Sequence, residues 1–188
     1  QIHSAKVARV TAEIPRETAP QVDALVTDSP GLAIGVLTAD CAPVLLEDAE
    51  AGVVGAAHAG WRGALAGVVE ATVGAMADLG ARPARVTARI GPCIGPDAYE
   101  VGPEFFDAFR DQDQDAADIT AFFTAAEHEG GKRHFDLPSY VLDRLRRAGV
   151  EDRHWICLCT YADEARFFSN RRATHRRQPL SCRLRQRT

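Results

Sequence analysis

A run of small apolar residues that ends in a glycine-rich turn constrains the fold of this chain more than any other stretch. Residues 52–57 read GVVGAA, which predicts a buried strand, and residues 58–63 read HAGWRG. Apolar side chains then recur at helical spacing through residues 62–79. The sequence therefore predicts a strand–turn–helix unit in which His58 ends the strand and Arg62 lies where the helix begins.

This turn has features that suit an anionic ligand. Its two glycines let the backbone come close to a bound group. The N-terminus of a helix offers unpaired N–H groups and positive potential. Arg62 adds a planar guanidinium that pairs with phosphate or carboxylate. A core histidine at a strand end beside a solvated arginine explains the same hexapeptide about equally well, so the motif alone does not decide between a site and a structural turn.

Composition excludes several classes of protein. The chain has 188 residues, of which 46% are hydrophobic and 26% charged, and its net charge is -4. This composition is ordinary for one globular domain, which we place over residues 1–188. The chain has no excess of basic residues of the kind that nucleic-acid-binding proteins carry. No apolar run approaches the roughly 20 residues of a membrane span, and the N-terminus lacks a signal peptide's apolar region. The odd number of cysteines, 5, indicates reduced thiols in a cytoplasmic protein.

The remaining pattern alternates predicted strands with a few helices. Residues 32–38 form a near-continuous apolar run, as expected of a strand covered on both faces. Residues 111–118 are polar and acidic and predict a surface loop. We expect an α/β (α+β) fold, a single domain with a mixed β-sheet core and flanking helices. The other predicted strands are 2–10, 23–27, 44–46, 86–90 and 154–159, and the other predicted helices are 103–110 and one that runs from 137 to Gly149.

Three residues that are far apart in the sequence are candidates for one site. Cys41 follows Asp40 at the end of an apolar run, His58 ends another, and His3 lies near the N-terminus. Two imidazoles and a thiolate form a normal catalytic zinc shell whose fourth position stays open, and the same set can take copper. Without a metal, Cys41 would be a nucleophile with a histidine as its base. A buried cysteine is also often only a small hydrophobic residue.

Six short motifs together resemble one family. It is the laccase-domain family, once called multicopper polyphenol oxidases and now described as purine nucleoside phosphorylases. The resemblance spans about residues 1–177 and implies an α/β sandwich related to certain cysteine-hydrolase toxins. The motifs are TADCAP at 38–43, HAGWRG at 58–63, GPCI at 91–94, YEV at 99–101, HFDL at 134–137 and CT at 159–160.

The resemblance also implies ligands, substrates and an activity. The family's metal ligands fall on His3, Cys41 and His58, and zinc is the usual metal. Its members are described as cleaving adenosine, inosine, guanosine and methylthioadenosine with phosphate, and as deaminating adenosine. The expected partners are therefore a purine nucleoside and phosphate, with no nucleic acid or membrane, on a monomer or small homo-oligomer.

Residue roles follow as hypotheses. Arg62 is expected to bind phosphate, Asp40 or Glu100 to act as acid or base toward the purine, and Cys93 to line the substrate site. Three other functions compete. A metal-free Cys–His hydrolase and a non-catalytic zinc-binding protein use the same residues. A copper-dependent polyphenol oxidase is disfavoured, because four coppers need more imidazoles than the 6 histidines present.

Departures from the family pattern bear on the site. Family members usually carry several dozen residues before the Gln-x-His motif, whereas this sequence begins at that motif. If that segment is absent, His3 is expected to lie on a terminal strand that frays. Asn170 replaces the tyrosine usual in its motif, and residues 181–188 are basic and unlike the family's closing strand.

Overall fold

The computed structural model describes residues 1–115, 118–126, 128 and 130–175. Its strands are β1 (Val7–Arg9), β2 (Ala24–Thr27), β3 (Ala42–Asp48), β4 (Val53–Ala59), β5 (Thr87–Ile90), β6 (Glu100–Val101), β7 (Arg133–His134) and β8 (Asp152–Trp155). Six of them form a central sheet of order β1-β2-β4-β3-β5-β8, in which β1–β2 and β5–β8 pair in parallel and the other neighbours are antiparallel. The other two, β6 and β7, form a separate two-stranded ribbon. The mixed sheet with flanking helices agrees with the sequence prediction.

The predicted helix over residues 62–79 is two helices, α1 (Trp61–Leu65) and α2 (Val68–Ala77). Gly67 breaks the helix because its backbone is left-handed, with φ of +93°. Gly80, whose backbone is left-handed with φ of +99°, closes this helical stretch, since the main-chain N–H of Ala81 donates to the Met76 carbonyl across it.

Small residues in β4 let α2 pack directly on the sheet. β4 is almost wholly buried and pairs with both β2 and β3. A Cβ placed on Gly55 would lie 2.9 Å from the sulfur of Met76 on α2. The GVVGAA run is therefore small because a helix lies against it.

The other helices cover an aromatic core. They are α3 (Pro103–Gln112), α4 (Leu137–Arg147) and the short α5 (Asn170–His175). Aromatic rings from α3, from α4 and from the chain between them pack together, mostly in tilted or T-shaped pairs, at centroid distances of 4.8–6.2 Å. They include Phe105, Phe109, Phe123, Phe135 and Tyr140. No helix among the described residues is long and apolar enough to cross a bilayer.

The prediction of an acidic surface loop over residues 111–118 is wrong for residues 111–113. Helix α3 continues to Gln112, and Asp113 is buried. Its carboxylate accepts hydrogen bonds from Tyr140 at 2.7 Å and from Arg147 at 2.7 and 2.8 Å. The carboxylate of Asp113 is thus neutralised inside the protein, while residues 116–117 lie outside the described part of the chain.

Three strand predictions also need correction. The N-terminal strand covers only Val7–Arg9, because the residues before it form a turn. Residues 32–38 form no strand, and their side chains alternate between half-buried and exposed, with Leu37 86% exposed. Their apolar character therefore does not report burial within this sheet. β8 is an edge strand with exposed and half-buried residues, not a buried one. Residues 181–188 lie outside the described part.

Candidate metal centre

Three side chains from separate parts of the chain converge at one end of the central strands. His3 comes from the N-terminal turn, Cys41 directly precedes β3, and His58 lies in β4. One donor atom from each lies within 4.8 Å of the others, and Cys41 Sγ is 3.8 Å from His3 Nε2. Ordinary zinc bond lengths and a tetrahedral angle put sulfur and nitrogen ligands about 3.6 Å apart. The donor set and its spacing therefore fit one metal ion, with a fourth position left for another ligand.

Strand pairing explains why Cys41 meets His58. In the β3–β4 pair, Pro43 lies opposite His58, so the residue before β3 lies beside Gly60. A Cβ on Gly60 would be 2.7 Å from Cys41 Sγ and 3.1 Å from His3 Cδ2. Gly60 has an ordinary φ of -69°. A glycine is needed there for space around the ligands and not for its backbone freedom.

A carboxylate beneath the centre holds His58. Asp23 Oδ1 lies 2.9 Å from His58 Nδ1, and both side chains are buried. Burial acts to raise the pKa of Asp23, but hydrogen bonds from His58, Ser4 and His3 outweigh it and hold that pKa well below its usual range. Asp23 therefore stays an anion, and His58 Nε2 is left as the nitrogen available to a metal.

Burial keeps Cys41 and His58 neutral when no metal is bound. Burial, with smaller contributions from Asp40 and Asp23, raises the pKa of the Cys41 thiol to about 11. Burial also lowers the pKa of His58. A neutral imidazole is ready to bind a metal, whereas the thiol must lose its proton as the metal binds. A protonated thiol is a poor nucleophile, which disfavours chemistry by Cys41 alone.

Two of the three donors, His3 and Cys41, line a pocket of about 360 Å³ that contains two arginines, whereas His58 is buried and lies outside the lining. The guanidinium of Arg62 lies 4.4 Å from the Trp61 ring centre. That of Arg171 lies 5.2 Å from the Tyr99 ring centre and donates to the Glu100 carbonyl at 2.6 Å. Neither arginine is ion-paired with a carboxylate in the part of the chain described. The other lining residues are Ala39, Asp40, Ile94, Leu137 and Asn170.

Asp40 lines this pocket and also anchors the C-terminal segment. Its backbone is left-handed, with φ of +88°. Its carboxylate accepts hydrogen bonds from Thr160 Oγ1 at 2.6 Å, Ser169 Oγ at 3.1 Å and the Arg171 main-chain N–H at 2.6 Å. The orientation of Asp40 is therefore fixed by the same segment that carries Arg171.

Two residues proposed for the site from the sequence lie outside the pocket lining. Glu100 forms an ion pair with Lys132 at 2.7 Å on an exposed surface. Cys93 is fully buried and pairs through its backbone with Cys159, while its neighbour Ile94 reaches the pocket. Of the residues proposed for catalysis or substrate binding, the structure places Asp40 and Arg62 beside the three metal donors.

Sequence reasoning missed two residues of the centre. Asp23 looks like the residue before a short strand, and no motif marks it. Arg171 and Arg172 follow residues 168–170, which read FSN. The sequence analysis considered only Asn170 in this stretch. The contacts of Asp23 with His58 and of Arg171 with Asp40 join residues far apart in the chain, so local spacing could not indicate them.

The fold and the site together define a mixed α/β protein with a cluster of two histidines and one cysteine that could hold a metal ion. Residues 1–178 match the profile of the family described as multi-copper polyphenol oxidoreductase laccase. The chain belongs to this family.

Named relatives and solved structures agree with that assignment. A Streptomyces coelicolor protein named purine nucleoside phosphorylase is 45% identical over 174 residues, which cover 92% of this chain and 67% of the relative. Purine nucleoside phosphorylase YfiH of Escherichia coli is 40% identical over 172 residues, covering 92% and 66%. The crystal structure of Bacillus licheniformis hypothetical protein YfiH superposes with a TM-score of 0.84 at 30% identity, covering 93% and 67%. The chain thus spans about two thirds of the length of these proteins.

Proposed function

We propose that this chain carries the active centre of a metal-dependent purine nucleoside phosphorylase. Its substrates would be phosphate with adenosine, inosine, guanosine or methylthioadenosine, and it would also deaminate adenosine. The names of the relatives support the phosphorolysis. The observation that carries the proposal is a cluster of three donor side chains, of which His3 and Cys41 line a pocket whose two arginines have no carboxylate partner among the described residues.

His3, Cys41 and His58 would hold the metal. Zinc suits two imidazoles and one thiolate, and copper is the second candidate. A metal bound there would supply a Lewis acid beside the pocket. The spacing of the donors supports this assignment, because their sulfur-to-nitrogen distance of 3.8 Å is close to that of a bound site.

Arg62 and Arg171 would bind phosphate. Charge-assisted bonds from guanidinium groups to phosphate oxygens are strong and directional, and both guanidinium groups already rest on aromatic rings. The pocket volume of about 360 Å³ is in the ordinary range for a small-molecule site. The apolar and aromatic wall suits a purine ring, and it consists of Trp61, Ile94, Tyr99 and Leu137.

In phosphorolysis the bond between the sugar's anomeric carbon and the purine nitrogen breaks, and a bond from that carbon to a phosphate oxygen forms. The electron pair of the broken bond stays on the purine, which takes up the proton that the attacking hydrogen phosphate gives up. Asp40 is the carboxyl group that lines the pocket, and we assign the acid–base role to it. Hydrogen bonds from Thr160, Ser169 and the main chain of Arg171 fix the orientation of its carboxylate. The proposal gives no role to the side chains of Glu100 and Cys93.

A metal-free Cys–His hydrolase is the second candidate. The contact of 3.8 Å between Cys41 Sγ and His3 Nε2 is the observation that favours it. That function predicts that a chelator leaves turnover intact while alkylation of Cys41 abolishes it. The phosphorylase predicts that removing the metal abolishes turnover and that restoring zinc recovers it.

The direct test is to incubate the protein with inosine, with and without phosphate, before and after removal of metal. Free base and ribose-1-phosphate are separated by chromatography. We expect both products in equal amounts, only with phosphate and only with metal. The absence of ribose-1-phosphate from folded, metal-loaded protein would contradict the proposal. Ammonia released from adenosine without phosphate measures the deaminase activity separately.

The phosphate assignment has its own test in two variants. Arg62→Ala and Arg171→Ala should each raise the KM for phosphate by roughly tenfold or more, because each removes a charge-assisted hydrogen bond. Arg110→Ala is the matched control, since that arginine is exposed on α3 and pairs with Asp107 and Asp111. An unchanged KM for phosphate in both pocket variants would overturn the assignment.

A further inference from the structure

One buried carboxylate connects both histidines of the metal centre. Asp23 is completely buried, and Oδ1 lies 2.9 Å from His58 Nδ1 and accepts the main-chain N–H of His3 at 2.9 Å. Asp23 Oδ1 also accepts the main-chain N–H of Ile2 at 3.0 Å, and Oδ2 accepts the main-chain N–H and the hydroxyl of Ser4 at 2.7 and 2.8 Å. The main-chain carbonyl of Asp23 also accepts the N–H of His58 at 2.7 Å.

The N-terminal turn depends on these bonds. His3 has a left-handed backbone with φ of +58°, a conformation that is unfavourable for a residue with a side chain. Three successive N–H groups, those of Ile2, His3 and Ser4, point at one carboxylate, and this convergence is possible because the chain turns there. The turn places the His3 ring beside the His58 ring at a centroid distance of 4.9 Å.

The ring of His58 is oriented by the same carboxylate. A neutral imidazole carries its proton on one nitrogen, and the partner of that nitrogen selects which one. Because Nδ1 faces the Asp23 anion, the proton belongs on Nδ1 and the lone pair on Nε2. Carboxylate partners of this kind fix the tautomer and the orientation of metal-binding histidines.

We propose that Asp23 is the positioning residue that assembles the metal centre, by fixing the backbone of His3 and the tautomer and orientation of His58 at the same time. It binds no metal itself, since its oxygens face the N-terminal turn and His58 Nδ1. This inference rests on the metal centre of the proposed function, but it does not need nucleoside turnover to be true.

The test is the metal affinity of Asp23→Asn. Zinc affinity is measured by competition with a chromophoric chelator, and the cobalt-loaded protein is followed by its thiolate-to-cobalt charge-transfer band. We expect the affinity to fall about 10- to 100-fold, as is usual for an outer partner of a ligand, with a changed cobalt spectrum. Zinc affinity within twofold of the parent and an unchanged spectrum would overturn the proposal, as would a parent protein that binds neither metal.

Asp48→Asn is the matched control. Asp48 is an equally buried carboxylate that also collects several hydrogen bonds, but it lies at the far end of β3 from Cys41. This variant should lose stability and keep the parent's zinc affinity. If both variants lose affinity equally, the effect is one of general destabilisation and Asp23 has no positioning role.

A second measurement uses the unaltered sequence, so it stands even if Asp23→Asn does not fold. Nitrogen NMR of the metal-free protein with labelled histidine reports which nitrogen of His58 carries the proton. We expect the proton on Nδ1, and a proton on Nε2 would contradict the proposal. If the parent protein binds zinc and carries the His58 proton on Nδ1 but forms no ribose-1-phosphate, the phosphorylase is rejected and the role of Asp23 stands.

Discussion

Asp23 and Asp48 are two fully buried carboxylates that border strands of the same sheet and do different work. Each accepts hydrogen bonds from several main-chain N–H groups and thereby fixes a turn. The remaining partner of Asp48 is the guanidinium of Arg85, at 2.9 Å. The remaining partners of Asp23 are the Ser4 hydroxyl, at 2.8 Å, and the imidazole of His58, at 2.9 Å.

We infer that the guanidinium partner in one case and the imidazole partner in the other distinguish a structural turn from a turn that positions the proposed metal ligands. Arg85 neutralises Asp48, so the charge is satisfied and the turn has no further partner to bind. His58 leaves the charge on Asp23 and directs its own second nitrogen toward Cys41 and His3. The comparison predicts that changes around Asp23 act on metal binding, whereas changes around Asp48 act on folding stability.

The largest effect is expected from Cys41→Ala, which removes a ligand. Metal affinity should fall by more than the roughly 10- to 100-fold that follows loss of an outer partner, and turnover should fall with it. Metal content after dialysis and the rate of ribose-1-phosphate formation measure both quantities. Cys157→Ala is the control, because that thiol is exposed and lies outside the pocket lining. Full turnover in Cys41→Ala would contradict the metal assignment.

Gly60→Ala should weaken metal binding without replacing any of the three ligands. Its new Cβ would lie 2.7 Å from Cys41 Sγ, so the sulfur has to move. Because the backbone at Gly60 is ordinary, we expect the fold to persist and zinc affinity to drop by about tenfold, the order seen when ligands are mispositioned. Unchanged affinity, measured by chelator competition, would show that the sulfur has room to relax.

Asp48→Asn should change folding stability and its dependence on pH. A hydrogen bond from the Arg82 main chain, opposed by burial and assisted by Ala51 and Arg85, lowers the pKa of Asp48 to about 2. A carboxyl group whose pKa is depressed by folding stabilises the fold above its unfolded pKa of about 4, and this contribution is lost as the pH falls through 2.

The parent should therefore lose stability between pH 4 and pH 2. Asp48→Asn should unfold several degrees lower at pH 7 and show a weaker dependence on pH in that window. Thermal unfolding followed by circular dichroism at a series of pH values measures this. Equal pH dependence in parent and variant would mean that the Asp48 turn does not contribute to acid sensitivity.

The smallest effect is expected from Gly74→Ala. Gly74 lies within α2 and nothing lies within 4 Å of the Cβ position. Alanine in a helix interior is favoured over glycine by about 0.5–1 kcal/mol, so the melting temperature should rise by about 1–4 °C. Zinc affinity should not change, which makes this variant the glycine-to-alanine control for Gly60. A lower melting temperature would contradict the open space around Gly74.

The local parts of the fold and site could be predicted from the sequence. The GVVGAA strand and its turn are encoded by neighbouring residues, and His58 was placed at the right strand end. Cys41 and His3 were proposed from their residue types and positions, and the family resemblance then placed metal ligands on the same residues. Gly67 was overlooked inside a helical pattern because apolar spacing continues across it, although its left-handed backbone ends one helix and begins another.

The parts that depend on distant contacts could not be predicted. Asp23 and His58 are 35 positions apart, and the main chain of Arg171 reaches Asp40 across 131 positions. The apolar run 32–38 was misleading for a related reason, since composition indicates a buried strand only if a neighbouring strand pairs with it. Among the described residues none does.

The central claim is that His3, Cys41 and His58 bind one metal and leave a position open toward the pocket. X-ray absorption at the zinc edge of the loaded protein tests it most directly. We predict one sulfur at about 2.3 Å, two nitrogens at about 2.0–2.1 Å and one further light-atom ligand that changes when phosphate is added. A shell without sulfur, or four protein ligands that do not respond to phosphate, would contradict the account.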